Sequence, residues 1–168
     1  MSISMYSVSV PVFVRALTNL SNVLKKGEAH AQAKKMEPDA LLQQRLIFDM
    51  LPLIKQIQIA CDMAARGAAR LAGVEPRSFD DNETTMAEAH ARIDAAIAYV
   101  KTFTAEQIDG SEARKIHLKM RNGELDFTGQ DYLLGFSLPN LFFHCTTAYD
   151  ILRVAGADLG KMDFTGAP

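Results

Sequence analysis

The segment LPNLFFHCTTAYDILR, residues 138–153, sets an asparagine and a histidine one turn apart on an otherwise apolar helix. At about 100° per residue, Asn140, His144, Thr147, Ala148, Ile151 and Ala155 fall along one side. A polar pair therefore stands on a face that faces a core. A buried imidazole needs partners for both ring nitrogens, and Asn140 one turn earlier or Thr147 one turn later can supply one. The same imidazole can instead ligate a metal, because helical bundles hold metals with side chains projecting inward from facing helices. Zinc, nickel or iron(II) takes a neutral imidazole plus further nitrogen or oxygen donors. Asparagine is a poor ligand for such ions, so a companion has to come from another helix. Asp49 and Gln56, seven residues apart, read as neighbours on one side of the second main helix. Two readings follow: a hydrogen-bonded core pair, or an altered divalent-metal centre drawn from His144, Asn140, Asp49 and Gln56.

The other chemistry-bearing residues give less. His30 falls in a polar connector, His90 on the flank of an apolar stripe, and His117 on the polar side of an extended run. Asp80 and Asp81 adjoin in a polar loop where nothing raises a carboxyl pKa toward neutrality. Cys145 follows His144 directly, but adjacent helical residues point about 100° apart, so the two do not form a nucleophile–base dyad. There is no G-x-S-x-G elbow, phosphate loop, H-E-x-x-H pair or glycine-rich nucleotide turn.

The bulk properties bound the class of protein. A chain of 168 residues fits one domain, here residues 1–168, and buries about two-thirds of its unfolded surface. Lys and Arg total 18 against 20 Asp and Glu, with no basic run, which argues against a nucleic-acid partner. No apolar stretch approaches the ~18 residues of a membrane span, so a soluble, cytoplasmic protein with no membrane partner is expected. Cys61 and Cys145 read as small core side chains in a reducing compartment.

The positioning elements are mainly helical. Ser9, Val10 and Pro11 open a first helix whose apolar residues Phe13, Leu17, Leu20 and Leu24 lead to Gly27 as its stop. A weaker Ala/Lys/Gln-rich connector and a short helix opened by Pro38 follow. The second helix runs from Pro52 to Gly73, with small residues that imply close approach to a neighbour. Thr85 and Glu88 form a capping box ahead of a third helix carrying Met86, Ala89, Ile93, Ala96 and Val100. The period then switches to alternation, Ile116, Leu118 and Met120 against Leu125 and Phe127. Asn122-Gly123 between these runs predicts a β-hairpin laid on the bundle. Thr128 and Asp131 cap the last segment, which Pro139 kinks or restarts before Gly156. The simplest architecture is an all-α, up-and-down antiparallel four-helix bundle with a small β-hairpin inserted between helices three and four. Phe142, Thr146, Tyr149 and Arg153 on the outward side of the fourth helix need cover from the tail, the connector or a second copy. With Ile59 and Met63 on the second helix, they point to a homodimer.

At NLFFHCTTAYDILRVAG the chain resembles the last helix of the DinB/YfiT-like superfamily of metal-binding proteins. That helix carries two histidines four residues apart, then a leucine-arginine pair and a glycine. Here His144 matches the second histidine, Leu152-Arg153 and Gly156 match the rest, and Asn140 replaces the first. More closely, the chain resembles one uncharacterised domain-of-unknown-function family within the superfamily, through MYSVSVPVFVRAL, DMLPLIKQIQIACDMA, FTGQDYLLGFSLPNLFFHCTTAYDILR and LGKMDF. The resemblance implies a four-helix bundle, often dimeric, with a divalent metal held by one histidine from helix two and two from helix four. Helix two has no histidine here, so Asp49 or Gln56 has to substitute. The expectation is a degenerate metal site in a non-catalytic or small-ligand-binding homodimer. The alternative is a divalent-metal-dependent hydrolase or thiol transferase, using zinc, nickel, iron or manganese through an altered ligand set.

Overall fold

A computed structural model describes residues 3–120 and 123–166. Four long helices make the core: α1 (Val10–Ala33), α2 (Leu53–Ala72), α3 (Met86–Val100) and α6 (Leu138–Val154). Shorter elements link them: a 3-10 turn over Pro38–Gln43, α4 (Ala105–Ile108), the strands β1 (Lys115–Met120) and β2 (Gly123–Thr128), α5 (Gly129–Asp131), and a terminal α7 (Lys161–Thr165). The chain is thus mostly helical with one small antiparallel hairpin.

α2 is the centre of the molecule, packing against α6, α3 and α1. Its sequence permits this, since Ala60, Cys61, Ala64, Ala65, Ala68 and Ala69 are all fully buried. Small side chains let backbones approach closely enough for one helix to serve three neighbours. Gly67 marks the tightest point: a Cβ there lies 2.6 Å from Ser137 Oγ and 2.9 Å from Phe13 Cζ. Gly73 ends the helix in the left-handed conformation, φ 73°, as its position after the apolar stripe predicts.

α1 departs from the sequence reading. It does not stop at Gly27 but continues to Ala33, and Gly27 is a buried contact whose Cβ position lies 2.6 Å from Leu152 Cδ2. The glycine serves the packing of α1 on α6, not the termination of a helix. The Pro38 segment is a 3-10 turn that buries Leu41 and Leu42 and sends Asp39 to the Met86 backbone N–H at 2.7 Å. The Thr85–Glu88 capping box forms in full at the start of α3.

β1 and β2 pair from Lys115↔Thr128 to Met120↔Gly123, which places Gly123 in the strand. Asn122 of the expected Asn122-Gly123 turn lies outside the described residues. Ile116 and Leu118 are buried, Phe127 half-buried and Leu125 exposed, so the apolar side covers the body only in part. Thr128 Oγ1 accepts the Asp131 N–H at 3.2 Å and starts a continuous helical run. Through Tyr132–Ser137 this run is wound as a π-helix, and α6 follows with Pro139 in its first turn. The widened turns and the absent proline N–H are one adjustment. Tyr132 and Phe136 stack here at 5.8 Å between centroids, and Phe127 packs edge-on to Tyr132 at 6.0 Å and tilted against Phe136 at 5.5 Å. No helix among the described residues is long and apolar enough to cross a membrane.

Candidate functional site

α6 turns His144, Thr147, Ala148 and Ile151 into the core, while Asn140 and Ala155 are half-buried. His144 retains 9% of its surface exposed. Its partner is neither Asn140 nor Thr147 but Gln56 of α2, with Nδ1 2.7 Å from Gln56 Oε1. Gln56 is 1% exposed, and its Nε2 donates to the Leu51 carbonyl at 2.9 Å. Because the amide nitrogen is committed to a carbonyl, the oxygen faces the ring. An amide oxygen only accepts, so Nδ1 carries the proton and Nε2 is the bare nitrogen. Burial lowers the His144 pKa below its ordinary value, which keeps this tautomer neutral.

The sequence candidates Asn140 and Thr147 make their hydrogen bonds elsewhere than to the ring. Asn140 Nδ2 donates to the Phe136 carbonyl at 2.7 Å, one turn back in the π-wound stretch. Thr147 Oγ1 donates to the Phe143 carbonyl at 2.8 Å. Asp49 is exposed in the turn before α2, which begins only at Leu53 behind Pro52. It therefore does not share a helical face with Gln56, and the seven-residue spacing argument fails for it. Among the described residues no three His, Cys, Asp or Glu side chains converge as a metal-holding group. The donors at hand are one imidazole and two carboxamides that are already hydrogen-bonded, a set that does not fit a centre needing three imidazoles.

The other histidines are dispersed. His90 Nδ1 lies 3.4 Å from Ser21 Oγ and its Nε2 3.4 Å from Glu28 Oε2. His117 is exposed on the hairpin against Asp126 at 2.8 Å. His30 is in α1 beside Gly156, not in a connector. Cys61 and Cys145 are free, buried thiols, and burial pushes Cys145 up to about 12 and raises Cys61 as well. Neither is a nucleophile at neutral pH.

One constellation escaped the sequence reading. Arg92, its side chain 2% exposed, reaches Asp62 at 2.7 Å, Glu83 at 3.0 Å, Asp81 at 3.3 Å and the Asp80 carbonyl at 3.0 Å. Its guanidinium also lies 4.6 Å from the Phe79 ring centroid, and Glu83 accepts from Gln58 at 2.6 Å. The network ties the acidic loop ahead of α3 to both α2 and α3. Its signal was an arginine between Ala89, Ile93 and Ala96 on the buried stripe.

Exposed apolar side chains occur on α6 beside His144 and in the turn before α2. Phe143 stands edge-on to the His144 ring at 5.2 Å and is 55% exposed. The turn that supplies the Leu51 carbonyl exposes Ile47, Phe48 and Leu51. Tyr149 on the outer side of α6 is covered by the chain's own tail, packing on Phe164 at 6.0 Å and donating to the Leu159 carbonyl.

Residues 5–165 match the model of a family described as a domain of unknown function (DUF1993). The fold is similar to the crystal structure of a DinB family member protein from Shewanella denitrificans. That likeness has 39% sequence identity and a TM-score of 0.87, covering 97% of this chain and 92% of that one. None of the curated proteins matches the chain. With the match extending over nearly every element described above, the chain belongs to DUF1993, an uncharacterised family of DinB-like helical proteins.

Proposed function

We propose that this protein is a cytoplasmic homodimer that binds a small molecule without catalysis, its metal position replaced by the neutral His144–Gln56 pair. The observation that carries the reading is the 2.7 Å bond between His144 Nδ1 and Gln56 Oε1, held by the second bond from Gln56 to Leu51. A side chain satisfied at both ends gains little by turning toward a cation, because each bond given up inside the core has to be replaced. The four long helices are read as an up-and-down bundle, supported by the packing of α2 on α3 and α6 and of α1 on the same two helices. The homodimer is supported by exposed apolar side chains, Phe48 at 86% with Ile47 and Leu51 in the turn before α2 and Phe143 on α6, which call for a cover.

Elemental analysis tests the central point. Protein purified without an affinity metal column or chelator is expected to carry no stoichiometric zinc, nickel, iron or manganese, before or after incubation with each ion. Stoichiometric metal lost in His144→Ala would overturn the proposal and establish the altered metal centre, making hydrolase and thiol-transfer assays the next step. Sedimentation of wild type against Phe48→Asp tests the dimer, with a monomer expected for the variant.

A further inference from the structure

A second site lies on the opposite side of α6 from the histidine pair, where α1, α6 and α7 enclose a cavity of about 190 Å³. Its apolar walls come from Val12, Ala16 and Leu20 of α1, Phe142 and Cys145 of α6, and Phe164 of α7. The tail that closes it is fixed in place. Asn19 Nδ2 donates to the Phe164 carbonyl at 3.0 Å, and Lys26 pairs with Asp163 at 2.6 Å. An apolar cavity of roughly 150 Å³ already accepts benzene, so this one has room for an aromatic ring and a short extension. Such a pocket, apolar with a few polar groups at its mouth, is the general form of a small-molecule site.

The charge at the rim selects the ligand. Arg15 is the one ionised side chain among the lining residues, is exposed, and has no ion-pair partner among the described residues. No carboxylate lines the cavity to compete for it. A guanidinium fork at the mouth of an apolar pocket matches a planar carboxylate carried on an apolar body. We infer that this cavity binds a small arylalkanoic acid, its ring between Phe142, Phe164 and Ala16 and its carboxylate on Arg15. The inference is independent of the His144 pair, which faces α2.

Titration calorimetry with phenylacetate as the probe tests it, alongside phenylacetamide, which keeps the ring and removes the charge. Phenylacetate is expected to bind wild type about two- to fivefold more tightly than the amide, since an ion pair with an exposed guanidinium contributes up to about 1 kcal/mol. Arg15→Gln, at an exposed position, is expected to erase that difference while leaving the fold intact. Ala16→Leu fills the cavity and is expected to abolish binding of both probes, with thermal unfolding as the check on folding. Absence of phenylacetate binding to wild type overturns the inference. So does equal affinity for acid and amide, or binding unchanged in Arg15→Gln.

Discussion

Replacing Gln56 with leucine gives the sharpest test of the pair at the centre of the molecule. The substitution removes two hydrogen bonds, but the two losses differ. Leu51 is 46% exposed, so its carbonyl recovers a bond from water. His144 is 9% exposed and its Nδ1–H, aimed at α2, is stranded. A buried donor left without an acceptor costs about 1–3 kcal/mol, and for a chain of this size each kcal/mol lowers Tm by roughly 2–4 °C. His144→Phe is the complementary change, filling the ring's volume and stranding Gln56 Oε1 at about the same cost. The double variant strands neither group, and replacing both partners with apolar side chains is close to neutral. The expected coupling is therefore the sum of the two single costs, about 2–6 kcal/mol, with the double variant more stable than the sum of the singles. Urea unfolding of all four proteins in EDTA, then with excess zinc, measures it. Additivity within about 0.5 kcal/mol refutes the argument, as does destabilisation that appears only when zinc is present.

Two further outcomes follow from the same geometry. Because burial depresses the His144 pKa, the unfolded chain takes up this proton near pH 6.5 while the folded chain does not. The contribution is complete above that pH and is lost progressively as pH falls below it, so the urea midpoint should decline as pH is lowered through about 6.5, more steeply in wild type than in His144→Phe. Equal slopes would show that the ring is not desolvated. Arg92→Met should cost about 3–5 kcal/mol, because Glu83 and Asp62 lose the cation that balances them. Trypsin should then cut at Arg77 in the released loop, and Arg92→Lys should not rescue, because an ammonium cannot span partners arranged around a fork. Stability within about 1 kcal/mol of wild type would contradict this account.

The local features were legible because local chemistry decides them. Pro52 and Gly73 bracket α2, Thr85 and Glu88 start α3, and the alternation around Ile116 and Leu118 gives the hairpin. What escaped depends on residues distant in sequence. Gly27 read as a stop because nothing nearby reveals that Leu152 packs against it. His144 was given neighbours one turn away, whereas its partner lies on another helix. Gln56 was a candidate near the ring, but as a ligand in place of a hydrogen-bond partner. Asp49 was placed by counting sevens through Pro52, where the helix has not yet begun. Arg92 was missed although it stands among Ala89, Ile93 and Ala96 on the buried stripe, because the carboxylates that balance it come from a separate loop and from α2.

The partnership of α2 with α6 also dictates when the molecule can finish. Gln56 and His144 are 88 residues apart, and at the usual ~5–20 residues per second of synthesis roughly 4–18 s separate their appearance. In that interval α2 can find α1 and α3, but its α6-facing alanines stay uncovered. The hairpin is already made by then, and the last long helix is the piece that completes the core. A chain interrupted after β2 would thus present a long strip of small apolar residues to the surrounding solution, recognisable to chaperones and proteases as unfinished.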